Sequence, residues 1–400
     1  RFTEEYPNGF TRENIRYADL DNDKVVLLNY TSGTTGFSKG VMLTGNNLAG
    51  NVTYARTLDV LFRGERELCF LPLAHAYSCA FNFLVPMAFG AHVFLLGKLP
   101  SPKILLKAFE EVKPNLILTV PLILEKIYKK MIAPQLNKRT MKLAMSVPLL
   151  NDRIYAQINK KLTNALGGRF REVIVGGAAM NQEVADFLYK IKFPYTIGYG
   201  MTECGPLISY DNHKEYVPTS CGQILKGIME VRIDSEDPYN KVGEIQVRGE
   251  NVMKGYYKNE EATRNVFTDD GWLKTGDLGT IDVNKRIYIR GRSKTMILSS
   301  NGQNIYPEEI EAKLNNLPFV LESLVVEREG KLVGLVYPDY DTVDSTGIRH
   351  EDLPAIMEQN RKDLNKLLAP YEAVTSIILY PTEFEKTPKR SIKRYLYENY

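Results

Sequence analysis

Cysteine is scarce: four occur in 400 residues, at Cys69, Cys79, Cys204 and Cys221, with no C-x-x-C pair and no histidine at metal-ligand spacing. That excludes a disulfide framework and a thiolate zinc site, and a reducing cytosol is the compartment such usage fits. An excess of one charge is also missing. Lys and Arg number 51 against 48 Asp and Glu, and the resulting +3 is too little for a general nucleic-acid binder that draws affinity from many phosphates. Tryptophan occurs once, at Trp272. No repeat or low-complexity tract is present, and 44% hydrophobic with 25% charged residues is a globular make-up, neither disordered nor fibrous. The longest apolar stretch, Cys79 to Gly97, is interrupted by Asn82, Pro86, Gly90 and His92. It reads as a buried helix followed by a strand, Ala91 to Leu96, and not as a membrane span.

What is present is a series of short apolar runs punctuated by turns. Val25 to Tyr30, Asn115 to Val120 and Val173 to Val175 read as buried strands with helical patterns between them, as in a layered α/β domain. From Val242 to Arg290 the strands shorten and glycine turns multiply, which suggests a small β-rich subdomain. After Gly291-Arg292-Ser293-Lys294 the texture changes again. Pro307 and the acids Glu308 and Glu309 open a helix; Ser323 to Glu327 and Leu332 to Tyr337 flank a turn; Leu353 to Leu368 is a second helix and Val374 to Tyr380 a further strand. The expected organisation is therefore a large α/β domain over 1–290, a connection at 291–295 and a small α+β domain over 296–400.

The strongest local signal is Tyr30-Thr31-Ser32-Gly33-Thr34-Thr35-Gly36-Phe37-Ser38-Lys39-Gly40, directly after a predicted strand. Its glycines let backbone N–H groups turn inward, its hydroxyls add donors, and Lys39 adds a compact cation, a combination that suits a polyphosphate. It is not a Walker A loop, because no Gly-Lys-Ser/Thr closes it. Three further segments complete a nucleotide pocket. Gly176-Gly177-Ala178-Ala179-Met180 is small enough for a flat ring to approach the backbone. Gly198-Tyr199-Gly200-Met201-Thr202-Glu203 offers an aromatic face, a hydroxyl and a carboxylate, and Trp272 to Asp277 presents an acid after a glycine, suited to a ribose diol.

These segments, with Leu71-Pro72-Leu73-Ala74-His75, Gly243 to Gly249, and Gly291-Arg292 through Asn304 to Glu311, resemble in order the signature segments of the adenylate-forming superfamily, most closely bacterial long-chain fatty acyl-CoA ligases. The resemblance covers essentially the whole chain. It implies ATP, Mg²⁺ and coenzyme A as reactants or cofactors and a fatty acid as substrate. A carboxylate displaces pyrophosphate from ATP, and the thiol of coenzyme A then displaces AMP from the acyl-adenylate. Carried over by motif, Thr31 to Gly36 and Lys39 grip the β- and γ-phosphates, and Tyr199 stacks on adenine beside Gly177 and Ala178, with Gly200 in the same turn. Thr202 bonds the α-phosphate, Glu203 with Thr31 supports Mg²⁺, and Asp277 with Arg292 holds the ribose.

Other assignments are less direct. His75 either orients the substrate carboxylate or is a core histidine. Cys204 has no activating base nearby in sequence and is assigned to packing. Lys294 matches the position of the family's hinge. In the tail Lys386-Thr387-Pro388-Lys389-Arg390-Ser391-Ile392-Lys393-Arg394 the family's Gly-Lys pair is absent, Ser391 falls at the lysine position, and Lys393, with Lys389 as the alternative, is the expected catalytic cation. The part preceding the hinge is shorter than the family's large domain, so a first subdomain is expected to lie outside this sequence, leaving apolar surface exposed. Adenylation feeding a carrier protein or an aromatic-acid thioester is the alternative within enzymes, and a non-catalytic nucleotide-binding relative the alternative outside them. Acyl chain length, oligomeric state and peripheral membrane contact are left open.

Overall fold

A computed structural model describes residues 2–16, 21–31, 38–98, 100–136, 148–299, 303–386 and 392–397. At its centre lies a five-stranded parallel sheet in the order His92–Leu95, Arg66–Cys69, Leu116–Thr119, Glu172–Val175, Tyr195–Ile197. Leu116, Ile117, Leu118, Val173 and Val175 are all buried, because helices such as Pro102–Val112 and Gln182–Lys190 pack over strands that have no solvent face. Those helices start where the local chemistry dictates. Ser101 accepts the Ile104 N–H ahead of Pro102, and Asn181 accepts the Val184 N–H. After Arg66–Cys69 the chain crosses first to one flank, at His92, and then to the other, at Leu116. Such a reversal opens a crevice at the carboxyl ends of the strands, where ligands of open α/β sheets bind.

Two expectations are corrected. Val25–Thr31 is not a buried strand of this sheet: it pairs antiparallel with Lys39–Thr44, which pairs in turn with Gly255–Tyr256. Its side chains alternate, and Val26, Leu28 and Tyr30 are 53%, 41% and 62% exposed. With apolar residues on both faces the strand shows no period of two, so sequence alone does not distinguish it from a fully covered strand. In Cys79 to Gly97 the expected strand is present, but the helix before it is neither regular nor fully buried. Its helical part runs as Ala76–Ser78, a wide π turn over Cys79–Leu84, and Val85–Phe89, ended by Gly90 in the left-handed conformation. Phe83 and Met87 face outward, and the strand that follows, His92–Leu95, is a sheet edge with Phe94 and Leu95 exposed. Among the described residues no helix is long and apolar enough to cross a membrane.

A four-stranded antiparallel sheet follows, ordered Met229–Asp234, Gly243–Gly249, Leu273–Ile281, Ile287–Arg292. Its Val231, Ile245, Val247, Leu273 and Ile287 share one core with Val41, Leu43 and Ile208, so it is packed onto the hairpin strands. The C-terminal residues have a core of their own, in which Ile310, Leu314, Val325, Val336, Met357 and Leu364 meet. There Pro307–Leu314 and Leu353–Asn365 cover a sheet of Val320–Arg328, Lys331–Pro338 and Val374–Leu379. Its hairpin turns through Glu329 and Gly330, both at positive φ, which matches the twist of the flanking strands. A short helix, Tyr340–Thr346, has no counterpart in the sequence reading.

Candidate nucleotide site

Three of the sequence segments lie at the carboxyl ends of parallel strands: Leu71 to His75 after Cys69, Gly176 to Met180 after Val175, and Gly198 to Glu203 after Ile197. Backbone bonds tie the second and third of them to the end of the strand next to each. Gly176 N–H donates to Thr119 O at 3.1 Å and Gly198 N–H to Val175 O at 2.9 Å. Tyr77 lies against Gly176, where an added Cβ would sit 3.2 Å from its ring, and its O–H donates to Ile174 O at 3.1 Å. Gly177 turns at φ +90 and leaves Gly177 and Ala178 exposed, an open floor after one strand, while Tyr199 follows the end of the neighbouring strand Tyr195–Ile197.

Tyr199 and Glu203 of the third segment each belong to a polar cluster. Tyr199 O–H donates to Asp277 Oδ2 at 2.7 Å, and Arg292 Nε lies 3.0 Å from Asp277 Oδ1. Asp277 and Arg292 are register partners on adjacent strands, so the sheet itself sets their pairing. Burial, and then the Asp277 charge, hold the Tyr199 phenol well above its ordinary range, while Asp277 raises the Arg292 guanidinium. Tyr199 therefore stays a neutral ring with a fixed donor. In the second cluster Tyr256 O–H donates to buried Glu203 Oε1 at 2.9 Å, and Lys39 Nζ sits 4.8 Å from the centre of the Tyr256 ring. Thr31 and Lys39 are register partners closing the base of the hairpin. Ser32, Gly33, Thr34, Thr35 and Gly36, all assigned to phosphate binding, lie outside the described residues.

The remaining assignments fall variously. Thr202 is buried beside Glu203 in a single 3₁₀ turn. Cys204 is fully buried and its thiol is held well above its ordinary range by burial and by Glu203, which leaves it protonated and in the core. His75 is half-buried at the end of a turn whose Ala74 carbonyl accepts from Asn29 Nδ2 at 3.0 Å, linking it to the hairpin. Trp272 is held between Arg232 and Arg248, whose guanidinium carbons lie 4.6 and 4.7 Å from the ring. Lys294 is exposed in the turn that leads into the C-terminal unit. Lys393 is not drawn into the polar clusters by any contact of its own: its Nζ bonds Glu385 Oε2 at 3.1 Å. Two cavities of about 530 and 780 Å³ lie elsewhere, and neither is lined by Tyr199, Glu203, Asp277 or Arg292.

Sequence reasoning missed Tyr256, Tyr77 and three asparagines. Asn51 donates to Asn47 O and Gly205 O at 2.9 and 2.6 Å and accepts from Leu207 N–H at 3.0 Å, while Asn251 Nδ2 donates to Leu207 O at 2.8 Å. Asn47 Nδ2 donates to Glu250 O and Val252 O, both at 2.8 Å. The loop carrying Thr202 and Glu203 is thus fixed by amide side chains. Asn47 and Asn51 at i, i+4 on one helix were the signal available. Asn51→Ala strands a buried N–H and two carbonyls, and an equilibrium urea titration is expected to register a loss of about 2–3 kcal/mol; a variant within a few tenths of the parent would remove this role.

The strand order, the crevice and the placement of the segments are those of the adenylate-forming fold. A family model described as AMP-binding enzyme matches residues 3–257. The chain belongs to the AMP-binding enzyme family, and acyl-CoA ligases are its relatives. It is 29% identical to the long-chain-fatty-acid–CoA ligase FadD15 of Mycobacterium bovis, over 95% of this chain and 68% of that protein. To 4-coumarate–CoA ligase CCL1 of Humulus lupulus it is 31% identical, over 93% of this chain and 64% of that protein. The crystal structure of ATP-bound MatB from Rhodopseudomonas palustris superposes with a TM-score of 0.74 at 24% identity, covering 97% of this chain and 71% of that one. The chain thus spans about two thirds of the length of these proteins.

Proposed function

We propose that this chain carries the machinery for ATP-dependent activation of a carboxylic acid, a long-chain fatty acid in the first instance, followed by transfer of the acyl group to coenzyme A. The observation that supports it most is the Tyr199–Asp277–Arg292 cluster standing beside Glu203, Tyr256 and Lys39 at the mouth of the hairpin. A carboxylate resists nucleophiles because of its charge and resonance. One of its oxygens attacks the α-phosphorus, the bond to the β-phosphate oxygen breaks, and pyrophosphate leaves; the thiolate of coenzyme A then attacks the carbonyl carbon and AMP leaves. The protein's task is to hold the partners in line and offset developing charge.

In this reading Asp277 accepts from the ribose hydroxyls while Arg292 holds its carboxylate in place, and the neutral Tyr199 ring packs against adenine over Gly177 and Ala178. Thr202 donates to the α-phosphate, and Lys39 with the 31–36 segment holds the distal phosphates. A divalent cation fits the donor set: Tyr256 takes Glu203 Oε1 and leaves Oε2 available, with the Thr31 hydroxyl at the hairpin base. Among the described residues no group of three or more such metal-ligating side chains exists, and Mg²⁺ takes most of its ligands from waters and phosphate oxygens. Such an ion neutralises polyphosphate charge when bound. Residues 1–290, the 291–295 turn and 296–400 act as large domain, hinge and small domain, with rotation between the half-reactions.

Exchange of labelled pyrophosphate into ATP, run with short, long and aromatic acids, tests the reading, and coenzyme A consumption tests the second step. Best exchange with a cinnamate-type acid would favour the aromatic reading that the CCL1 relative supports; ATP binding without AMP release with any acid would leave a nucleotide-binding protein only. Lys294→Pro fixes φ in the exposed turn, so thioester formation is expected to fall more than adenylation. Equal rates to the parent in both halves would reject the hinge.

A further inference from the structure

The tail is held at its base by an ion pair unlike the surface pairs around it. Glu311, on the helix Pro307–Leu314, is buried, and its Oε1 accepts the Val325 N–H at 2.7 Å. Arg394 closes on it as a fork: its NH1 donates to Glu311 Oε2 at 2.8 Å and its NH2 lies 2.8 Å from Oε1, while NH2 also donates to Val325 O at 3.2 Å. The neighbouring backbone is fixed as well. Ile392 bridges Lys386, Lys393 N–H donates to Glu385 O at 2.8 Å, and Glu385 N–H donates to the hydroxyl of buried Tyr397 at 2.7 Å.

The side chain between these anchors is held differently. Lys393 Nζ meets Glu385 Oε2 at 3.1 Å, and the Glu385 side chain is 65% exposed. The Lys393 side chain is itself 31% exposed, against 20% and 11% for Arg394 and Glu311; a single-point pair open to water on its anionic side is more readily exchanged for another anion than a mostly covered bidentate pair. The base is therefore rigid and the ammonium releasable.

We propose that Glu311 and Arg394 are positioning residues that hold the tail so that Lys393, released from Glu385, reaches the negative charge of the nucleotide in the first half-reaction. This rests on the adenylation reading above. Glu385 is the resting counter-ion, and neither Glu311 nor Arg394 touches substrate.

The test uses the full chain with Arg394→Lys, which keeps the charge and loses the fork, and Glu311→Gln. Pyrophosphate exchange is expected to slow roughly tenfold to a hundredfold through kcat, with the KM for ATP nearly unchanged and thioester formation from supplied acyl-adenylate at the parent rate. Lys393→Ala is expected to give the same split, and adding Arg394→Lys to it no further loss. Equal losses in both half-reactions, or additive effects of Lys393 and Arg394, overturn the proposal. Glu385→Gln, which leaves the clamp intact, is expected to raise kcat for pyrophosphate exchange with the KM for ATP nearly unchanged; an unchanged or lower kcat also overturns it. Amide hydrogen exchange over 392–397 is expected to quicken in Arg394→Lys and not in Glu385→Gln. A parent that forms no AMP from any acid sinks the adenylation reading, while tail exchange unaltered by Arg394→Lys sinks the clamp whatever the parent's activity.

Discussion

Glu67→Gln is expected to stabilise the protein at pH 8 and to leave it nearly unchanged at pH 5. Glu67 is fully buried in the strand Arg66–Cys69, facing the π turn. The Asn82 amide donates to its Oε1, but Oε2 has no partner. Burial pushes the carboxyl from its ordinary 4.5 up to about 8, against the smaller opposing effect of Asn82. In the unfolded chain the proton leaves near the ordinary value, so over the interval between the two the native state binds more protons. The contribution of Glu67 is then complete below about pH 4.5 and is lost as the pH rises toward 8. Relative to the Gln variant, the parent should lose about 1.4 kcal/mol per pH unit, on the order of 4 kcal/mol across the window. Urea unfolding of both proteins at intervals from pH 5 to 8 measures it. Parallel stability curves would mean that Glu67 is solvated or paired in solution.

Gly200→Ala is expected to cost both stability and nucleotide binding. A Cβ there would stand 2.2 Å from Pro206 O and 2.9 Å from Pro206 C, both backbone atoms, so the chain between them must open. The other end of the loop is equally tight: Gly205 is at φ +60, and a Cβ on it would lie 2.8 Å from Asn47 O. Thr202 and Glu203 ride on this loop, so a shift moves the hydroxyl and carboxylate together. A destabilisation of about 3 kcal/mol is anticipated, a size reserved for buried backbone conflict. ATP titration by calorimetry should show at least a tenfold weaker complex, about 1.4 kcal/mol. Gly97→Ala, with nothing within 4 Å of the added carbon, serves as the control. A Gly200→Ala protein that binds ATP as the parent does would place the nucleotide elsewhere.

Legibility was uneven for physical reasons. Asn115 to Val120 and Val173 to Val175 were readable because a covered parallel strand is a short run of branched apolar residues bounded by turn formers. The helix beginning at Pro307 was readable because its proline and acids are local signals. The small residues of Gly176 to Met180 marked a place where a ring lies against the backbone, though not that Tyr77 is one such ring. Tyr256 was invisible, since its value comes from the pairing of Gly255–Tyr256 with Lys39–Thr44, far away along the chain. The asparagines at 47, 51 and 251 read as ordinary helix and turn residues until the loop they bind is placed against them.

By itself the sequence determined the class of fold, the family and the order of segments, because these follow from local periodicity, turn chemistry and residue types at fixed spacing. Tertiary structure alone decided that Val25–Thr31 is the half-exposed strand of an antiparallel hairpin, that Asp277 faces both Tyr199 and Arg292, that Glu203 answers to Tyr256, and that Lys393 rests on Glu385 beside a half-buried Arg394. Each of those depends on register and burial, which arise between distant parts of the chain and leave no trace in any one stretch of it.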